Sequence, residues 1–108
     1  MGNIFIKMEL KFSGFDWDGG NREKNLEKHG VTNQEAERIF FGEPLVYADT
    51  IHSTAKEERY VCFGEMAGGR FLFVAFTLRG MMVRIISARP MSQKERNWYA
   101  EEKKKNSH

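Results

Sequence analysis

Residues 70–89 read RFLFVAFTLRGMMVRIISAR, two runs rich in β-branched and aromatic residues on either side of one glycine. That pattern predicts a β-hairpin, with Arg70 to Leu78 and Met82 to Ala88 as its strands and the turn around Gly80. Its register decides which side chains share a face, because a slip of one residue turns every side chain over. With Gly80-Met81 as a two-residue loop, Arg79 opposes Met82 and Thr77 opposes Arg84. With Arg79-Gly80 as the loop, Arg84 opposes Ala75 and Arg89 aligns with Arg70. A glycine leading the loop suits a type II′ turn, which favours the first register. The second strand carries an arginine at each end, Arg84 and Arg89. A guanidinium stays charged and is costly to desolvate alone, so several on one small sheet suggest a surface that reads phosphate. On a regular strand Arg84 and Arg89 point to opposite faces, so Arg79 with Arg84, or Arg89 at the strand exit, are rival arrangements.

Upstream, Met8-Glu9-Leu10-Lys11-Phe12 alternates and is expected to be a first strand, with Ile4 to Lys7 as an extension. Were Met8 the biological start, residues 1–7 would be a dispensable extension. Asp18 is expected to cap a helix from about residue 19 to His29, which Gly30 ends in the left-handed conformation. Thr32-Asn33-Gln34-Glu35 is a capping box that opens a second helix through Phe41, with Ala36, Ile39 and Phe40 buried and Gly42 as the stop. Leu45-Val46-Tyr47 and Arg59 to Gly64 are further strands. Pro90 breaks the sheet, and Ser92-Gln93-Lys94-Glu95 caps a last helix running into Lys103-Lys104-Lys105. The fold class is α+β in a single domain, residues 1–108. A small antiparallel sheet of three to four strands carries two N-terminal helices and a closing C-terminal helix.

Composition narrows the function. With 108 residues, 41% of them hydrophobic, the chain is the size of one globular domain. No apolar run approaches the roughly 20 residues of a membrane helix. The opening Met1 to Lys7 turns polar too soon for a signal peptide, so the chain reads as cytoplasmic, with no membrane partner. The single Cys62 excludes an internal disulfide and reads as a small buried hydrophobe. Six of the eight arginines lie between Arg59 and Arg96, where seven cations face only Glu65 and Glu95; that stretch is +5 and the remainder −3. A polyanion would be drawn to the basic half. The competing reading is a solvated face with scattered ion pairs.

Taken together, several blocks resemble the BrnT family of bacterial toxins. They are Phe15-Asp16-Trp17-Asp18, Asn25-Leu26-Glu27-Lys28-His29-Gly30-Val31, Glu35-Ala36 with Phe40, and Glu58-Arg59-Tyr60 with Gly64. Phe76-Thr77-Leu78-Arg79-Gly80, Arg84 to Arg89, and Glu95-Arg96 with Tyr99 complete the set, which spans roughly residues 10–100. Gly19-Gly20-Asn21 departs from it, where the family more often has helix formers, and so does the apolar Met81-Met82. The resemblance implies a RelE-like fold, endoribonuclease activity that inhibits translation, and neutralisation by a small antitoxin encoded alongside. Operator DNA would be bound only through that antitoxin, since no helix-turn-helix is legible here.

RNA is cut when its own 2′-hydroxyl attacks the adjacent phosphate. Assistance requires a base, cations for the crowded phosphorane and an acid for the leaving 5′-oxygen, with no metal and no cofactor. No zinc-like His/Cys spacing or dense carboxylate group appears in the sequence. Arg59, Arg79, Arg84 and Arg89 are the candidate cations; the alternative is that some pair with Glu58, Glu95 or helix carbonyls to lock the last helix. His29 is the candidate base or acid, as histidine titrates near neutrality. It shares a helix face with Arg22, Asn25 and Leu26; Lys24 and Lys28 lie on an adjacent face and are candidate phosphate contacts, as Asn25 is for substrate. Arg96 and Tyr99 stand one turn apart on the last helix, Tyr99 as a base-stacking or proton-donating group and Trp98 as core. His52, in a polar loop, is a second histidine candidate, and Trp17 reads as core. Two other readings use the same basic face: a non-catalytic RNA- or DNA-binding module, and a structural half of a complex that exists to dock the antitoxin.

Overall fold

Eight elements follow one another in a computed structural model that describes residues 5–17, 28–66 and 68–105. They are β1 (Phe5–Lys7), β2 (Gly14–Phe15), α1 (Asn33–Ile39), β3 (Leu45–Asp49), β4 (Arg59–Met66), β5 (Arg70–Arg79), β6 (Met82–Pro90) and α2 (Gln93–Lys105). The strands form one sheet in the order β1-β3-β4-β5-β6-β2, antiparallel throughout except that β2 runs parallel to β6. The expected meander is its centre, but among the described residues the sheet has six strands rather than three to four. Of the first expected helix, only Lys28 and His29 are described; both are helical, and Gly30 follows at φ 67°, as a left-handed cap requires. Lys24 and Asn25 lie outside the described residues. The second helix ends earlier than Phe41: Phe40 is its C-cap, and tighter turns carry the chain to Glu43, at φ 56°.

Met8–Phe12, expected as a strand, is not one. β1 and β2 occupy opposite edges of the sheet, so the chain between them crosses every strand. Six strands spaced about 4.8 Å apart are about 24 Å wide. The seven steps from Lys7 to Gly14 reach about 24 Å only when nearly extended. The alternation is therefore real, with Met8, Leu10 and Phe12 packed inward against the core. Its backbone runs across the ladders rather than along one.

Two clusters form the core, one on each side of the sheet. On the α1 side, Val46, Cys62, Leu72, Val74, Phe76, Val83, Ile85 and Ala88 meet Val31, Ala36, Ile39 and Phe40. Trp17 packs there too, donating its Nε1–H to Glu37 at 2.5 Å. On the α2 side, Leu45, Tyr47, Val61 and Phe63 meet Met91 and Tyr99, with Phe71, Phe73 and Trp98 at the margin. Burial raises the pKa of the Cys62 thiol, which is fully enclosed, and the residue behaves as the expected small hydrophobe.

Both helices are fastened to the sheet by the same device. Thr32 and Glu35 cap α1 reciprocally, and the second Glu35 oxygen accepts from Arg70 Nη1 at 2.7 Å. Ser92 and Glu95 cap α2 in the same way, and Glu95 takes both Arg89 Nη groups, at 2.7 and 2.9 Å. Each cap glutamate thus serves a helix end and a strand arginine at once.

Acid should undo this fastening. The Glu35 carboxyl is held below its ordinary 4.5, chiefly by the Thr32 backbone N–H and also by Arg70. That of Glu95 is held below it chiefly by Arg89. A carboxyl whose folded-state pKa is depressed contributes stability that is present above the unfolded value and lost as pH falls through the folded one. Urea midpoints are therefore expected to drop from about pH 5 towards about pH 3. Glu95→Gln should flatten that drop; an unchanged profile would assign the acid sensitivity to other groups.

Candidate active site

The hairpin adopts the Gly80-Met81 register, with Arg79 opposite Met82 and Thr77 opposite Arg84. Gly80 sits at φ 62°, and Met81 is not at positive φ, as a type II′ turn requires. Further along, Ala75 pairs with Ser87 but Phe76 pairs with Ile85, so Ile86 is an extra residue on β6. This bulge reverses the alternation beyond it. Arg84 opposes Thr77 and Arg89 opposes Phe73, so both arginines stand on the α2 side of the sheet. The regular-strand expectation of opposite faces does not hold.

Facing is not the same as availability. Arg89 forks onto Glu95, donates to the Pro90 carbonyl and lies over the Phe73 ring at 4.2 Å. Its guanidinium holds α2 to the sheet, the alternative weighed for it above. From there α2 crosses the strands to the start of β3, where Lys103 donates to the Glu43 carbonyl. The other end of that face is left uncovered by the helix.

There a single row runs across four strands: Asp49 on β3, Arg59 on β4, Thr77 on β5 and Arg84 on β6, each directly opposite the next. At about 4.8 Å between strands the row is about 14 Å long. Thr77 is buried and gives its hydroxyl proton to the Glu58 carbonyl at 2.7 Å, so it serves as a spacer between the two arginines. Arg59 Nε donates to Glu57 at 2.8 Å. Arg84 is 3.9 Å from Asp16, which follows β2. Arg79, one pleat beyond Thr77, is exposed, and its guanidinium has no hydrogen bond or ion pair among the described residues. A cleft of about 580 Å³ lies beside it, bordered by Lys56, Glu57, Glu58, Tyr60 and Thr77.

Asp49 closes the row. It is 6% exposed, and both its carboxylate oxygens turn to His52: Oδ1 accepts the His52 backbone N–H at 3.2 Å, and Oδ2 lies 2.7 Å from the ring Nδ1. Ser53 completes the loop by donating to the Asp49 carbonyl and accepting the Arg59 backbone N–H. Tyr60, on the opposite face at the same end, donates its hydroxyl to Glu58 at 2.6 Å and stacks on Phe76. That carboxylate pushes the phenol up to about 12, so it remains protonated at neutral pH.

The other candidates fall elsewhere. His29 and Lys28 are exposed beside Gly30, whose carbonyl accepts from Arg70 Nη2 at 3.0 Å. Arg70 begins β5 and faces α1, whereas Arg79 ends it and faces the other way. The structure therefore does not bring His29 together with the arginine row. Tyr99, expected to stack a base, is 5% exposed and packs against Phe71; burial raises its phenol pKa. Trp98 contacts Tyr47 and Phe63, as expected of core. Arg96 is exposed on α2 with its guanidinium over the Phe71 ring at 4.7 Å. Asp49 and Thr77 were not foreseen as site residues. The spacing Asp-x-x-His at a strand end, an aspartate turned to a backbone N–H just ahead, was the signal for the first.

Among the described residues no group of three or more His, Cys, Asp and Glu side chains converges, and no helix is long and apolar enough to cross a membrane. The hairpin thus presents Arg79 and Arg84 on the face of the sheet that also carries Arg59. The family model for the ribonuclease toxin BrnT of type II toxin-antitoxin systems matches residues 17–95, and the chain belongs to that family. It is also similar to the Brucella abortus ribonuclease toxin BrnT, known from a crystal structure. The two share 27% identity at a TM-score of 0.55, over 74% of this chain and 97% of that one. No curated protein matches it.

Proposed function

We propose that this protein is the toxin of a type II toxin-antitoxin pair, an endoribonuclease that cuts RNA by attack of the 2′-hydroxyl on the neighbouring phosphate and thereby inhibits translation. The observation that carries the reading is the row of Arg59 and Arg84 across the uncovered end of the sheet, with Arg79 beside it. Forked cations held on rigid strands neutralise the charge that gathers on a phosphorane, and they act best where the scaffold fixes them before the substrate arrives. A cognate antitoxin, small and encoded alongside, would silence the toxin by covering this basic end. Operator DNA would be reached only through the antitoxin.

The purified protein is expected to degrade single-stranded RNA in the presence of EDTA, leaving 2′,3′-cyclic phosphate and 5′-hydroxyl ends. Retention of RNA on the protein with no new ends would favour the non-catalytic binding module instead. In cells, expression of the chain alone should arrest growth, and co-expression of its genomic neighbour should relieve the arrest. Arrest that the neighbour leaves untouched would count against the pairing.

A further inference from the structure

Resting on that ribonuclease reading, the geometry points to His52, held by Asp49, as the general base that takes the 2′-hydroxyl proton. Four observations converge on it. Asp49 is buried at the end of β3 directly opposite Arg59, so it belongs to the same row as the candidate phosphate cations. One of its oxygens accepts the His52 backbone N–H, a common turn arrangement that needs only one oxygen. The other lies 2.7 Å from Nδ1; a carboxylate there accepts from an Nδ1–H, and in the neutral ring that tautomer makes Nε2 the acceptor. The His52 side chain is 68% exposed against 9% for that of Asp49, so Nε2 is open to a substrate while its orienting partner is not. A buried carboxylate fixing the tautomer of an open imidazole is the arrangement by which proton-accepting histidines are positioned.

In the step itself, Nε2 accepts the proton as O2′ bonds to phosphorus, and Arg59 lies against the non-bridging oxygens. The phosphorus–O5′ bond breaks, and the departing 5′-oxygen takes a proton from water. Nε2 then returns its proton to solvent, leaving a 2′,3′-cyclic phosphate and a 5′-hydroxyl. Asp49 is a positioning residue, since it acts through the ring. The charged groups on the elements beside His52 are Asp49 on β3, Arg59 on β4, and Lys56, Glu57 and Glu58 in the intervening loop.

The test uses the full chain with single-stranded RNA, measuring cleavage rate against pH for the unaltered protein, His52→Ala, Asp49→Asn and His29→Ala. Loss of a general base lowers rates by about 10²–10⁴-fold. His52→Ala should show such a loss and lack the acidic limb of the profile. Asp49→Asn should retain part of the activity with that limb displaced. Nitrogen-15 spectra, read without any substrate, should show His52 protonated on Nδ1 in the unaltered protein and a mixed tautomer in Asp49→Asn. If His52→Ala cleaves within about threefold of the unaltered protein while Arg59→Ala does not, the inference is overturned and the ribonuclease reading stands. Activity that instead disappears in His29→Ala, with its acidic limb, would place the base on the N-terminal segment and overturn it equally. If the unaltered protein cuts nothing, both readings fall together.

Discussion

Arg59→Ala should lower RNA cleavage by about 10²–10³-fold with folding intact, whereas Arg89→Ala should lower stability and leave the cleavage rate of the folded molecules nearly unchanged. The two arginines share a face, so sequence position does not distinguish them; their partners do. Arg59 is half-exposed, and its one carboxylate contact, with Glu57, is an exposed pair of the kind worth at most about 1 kcal/mol. Removing it costs the fold little and takes away a cation one strand from His52. Arg89 is held by two charge-assisted bonds to Glu95 and by the Phe73 ring. Its loss leaves Glu95 with only the cap of α2 and should cost about 1–2 kcal/mol after solvent screening is allowed for. Urea titration and initial cleavage rates on the same preparations separate the two outcomes. An Arg89→Ala protein of full stability and no activity would return Arg89 to the reacting centre.

Gly64→Ala is expected to be among the most destabilising single changes, at about 2–3 kcal/mol. Gly64 lies in the middle of β4 beneath α1, and a Cβ there would stand 2.4 Å from Ile39 Cγ2. Neither side can yield easily. Ile39 is fully buried on a helix locked by its capping box, and Gly64 is paired with Leu72 within the sheet. For a domain of this size such a loss is a large part of the total stability. Adding Ile39→Ala removes the offending methyl, so the double variant should be less destabilised than the two single losses combined. Strict additivity in urea titrations would show that the clash is relieved by a shift of α1.

Much of the architecture was legible because it rests on local chemistry. Thr32 with Glu35 and Ser92 with Glu95 announce helix starts by reciprocal hydrogen bonds made within four residues. Gly80 leading a two-residue loop selects the hairpin register, and with it the pairing of Thr77 with Arg84. Met8-Glu9-Leu10-Lys11-Phe12 alternates as a strand would, and Met8, Leu10 and Phe12 do pack against the core, but the segment forms no strand. Whether such a run pairs in the sheet or crosses it depends on where its two ends are anchored. Trp98 and Tyr99 are adjacent on a helix broad enough to turn both towards the sheet, so their order of burial is a matter of helix rotation.

What the sequence determined by itself, then, is the central meander, the two capped helices, the register of the hairpin and the family resemblance. The tertiary structure alone decided which of the candidate side chains stand together. Ile86 bulges because β5 and β6 fall out of step at Ala75, and that one residue puts Arg84 and Arg89 on the same face. Glu95, placed by the helix cap, then withdraws Arg89 from it. His29 and His52 carry the same side chain, but one sits at the Arg70 end of the sheet and the other on the buried carboxylate opposite Arg59. Periodicity records which way a side chain points along its own strand; which groups meet depends on pairings between residues far apart in the chain.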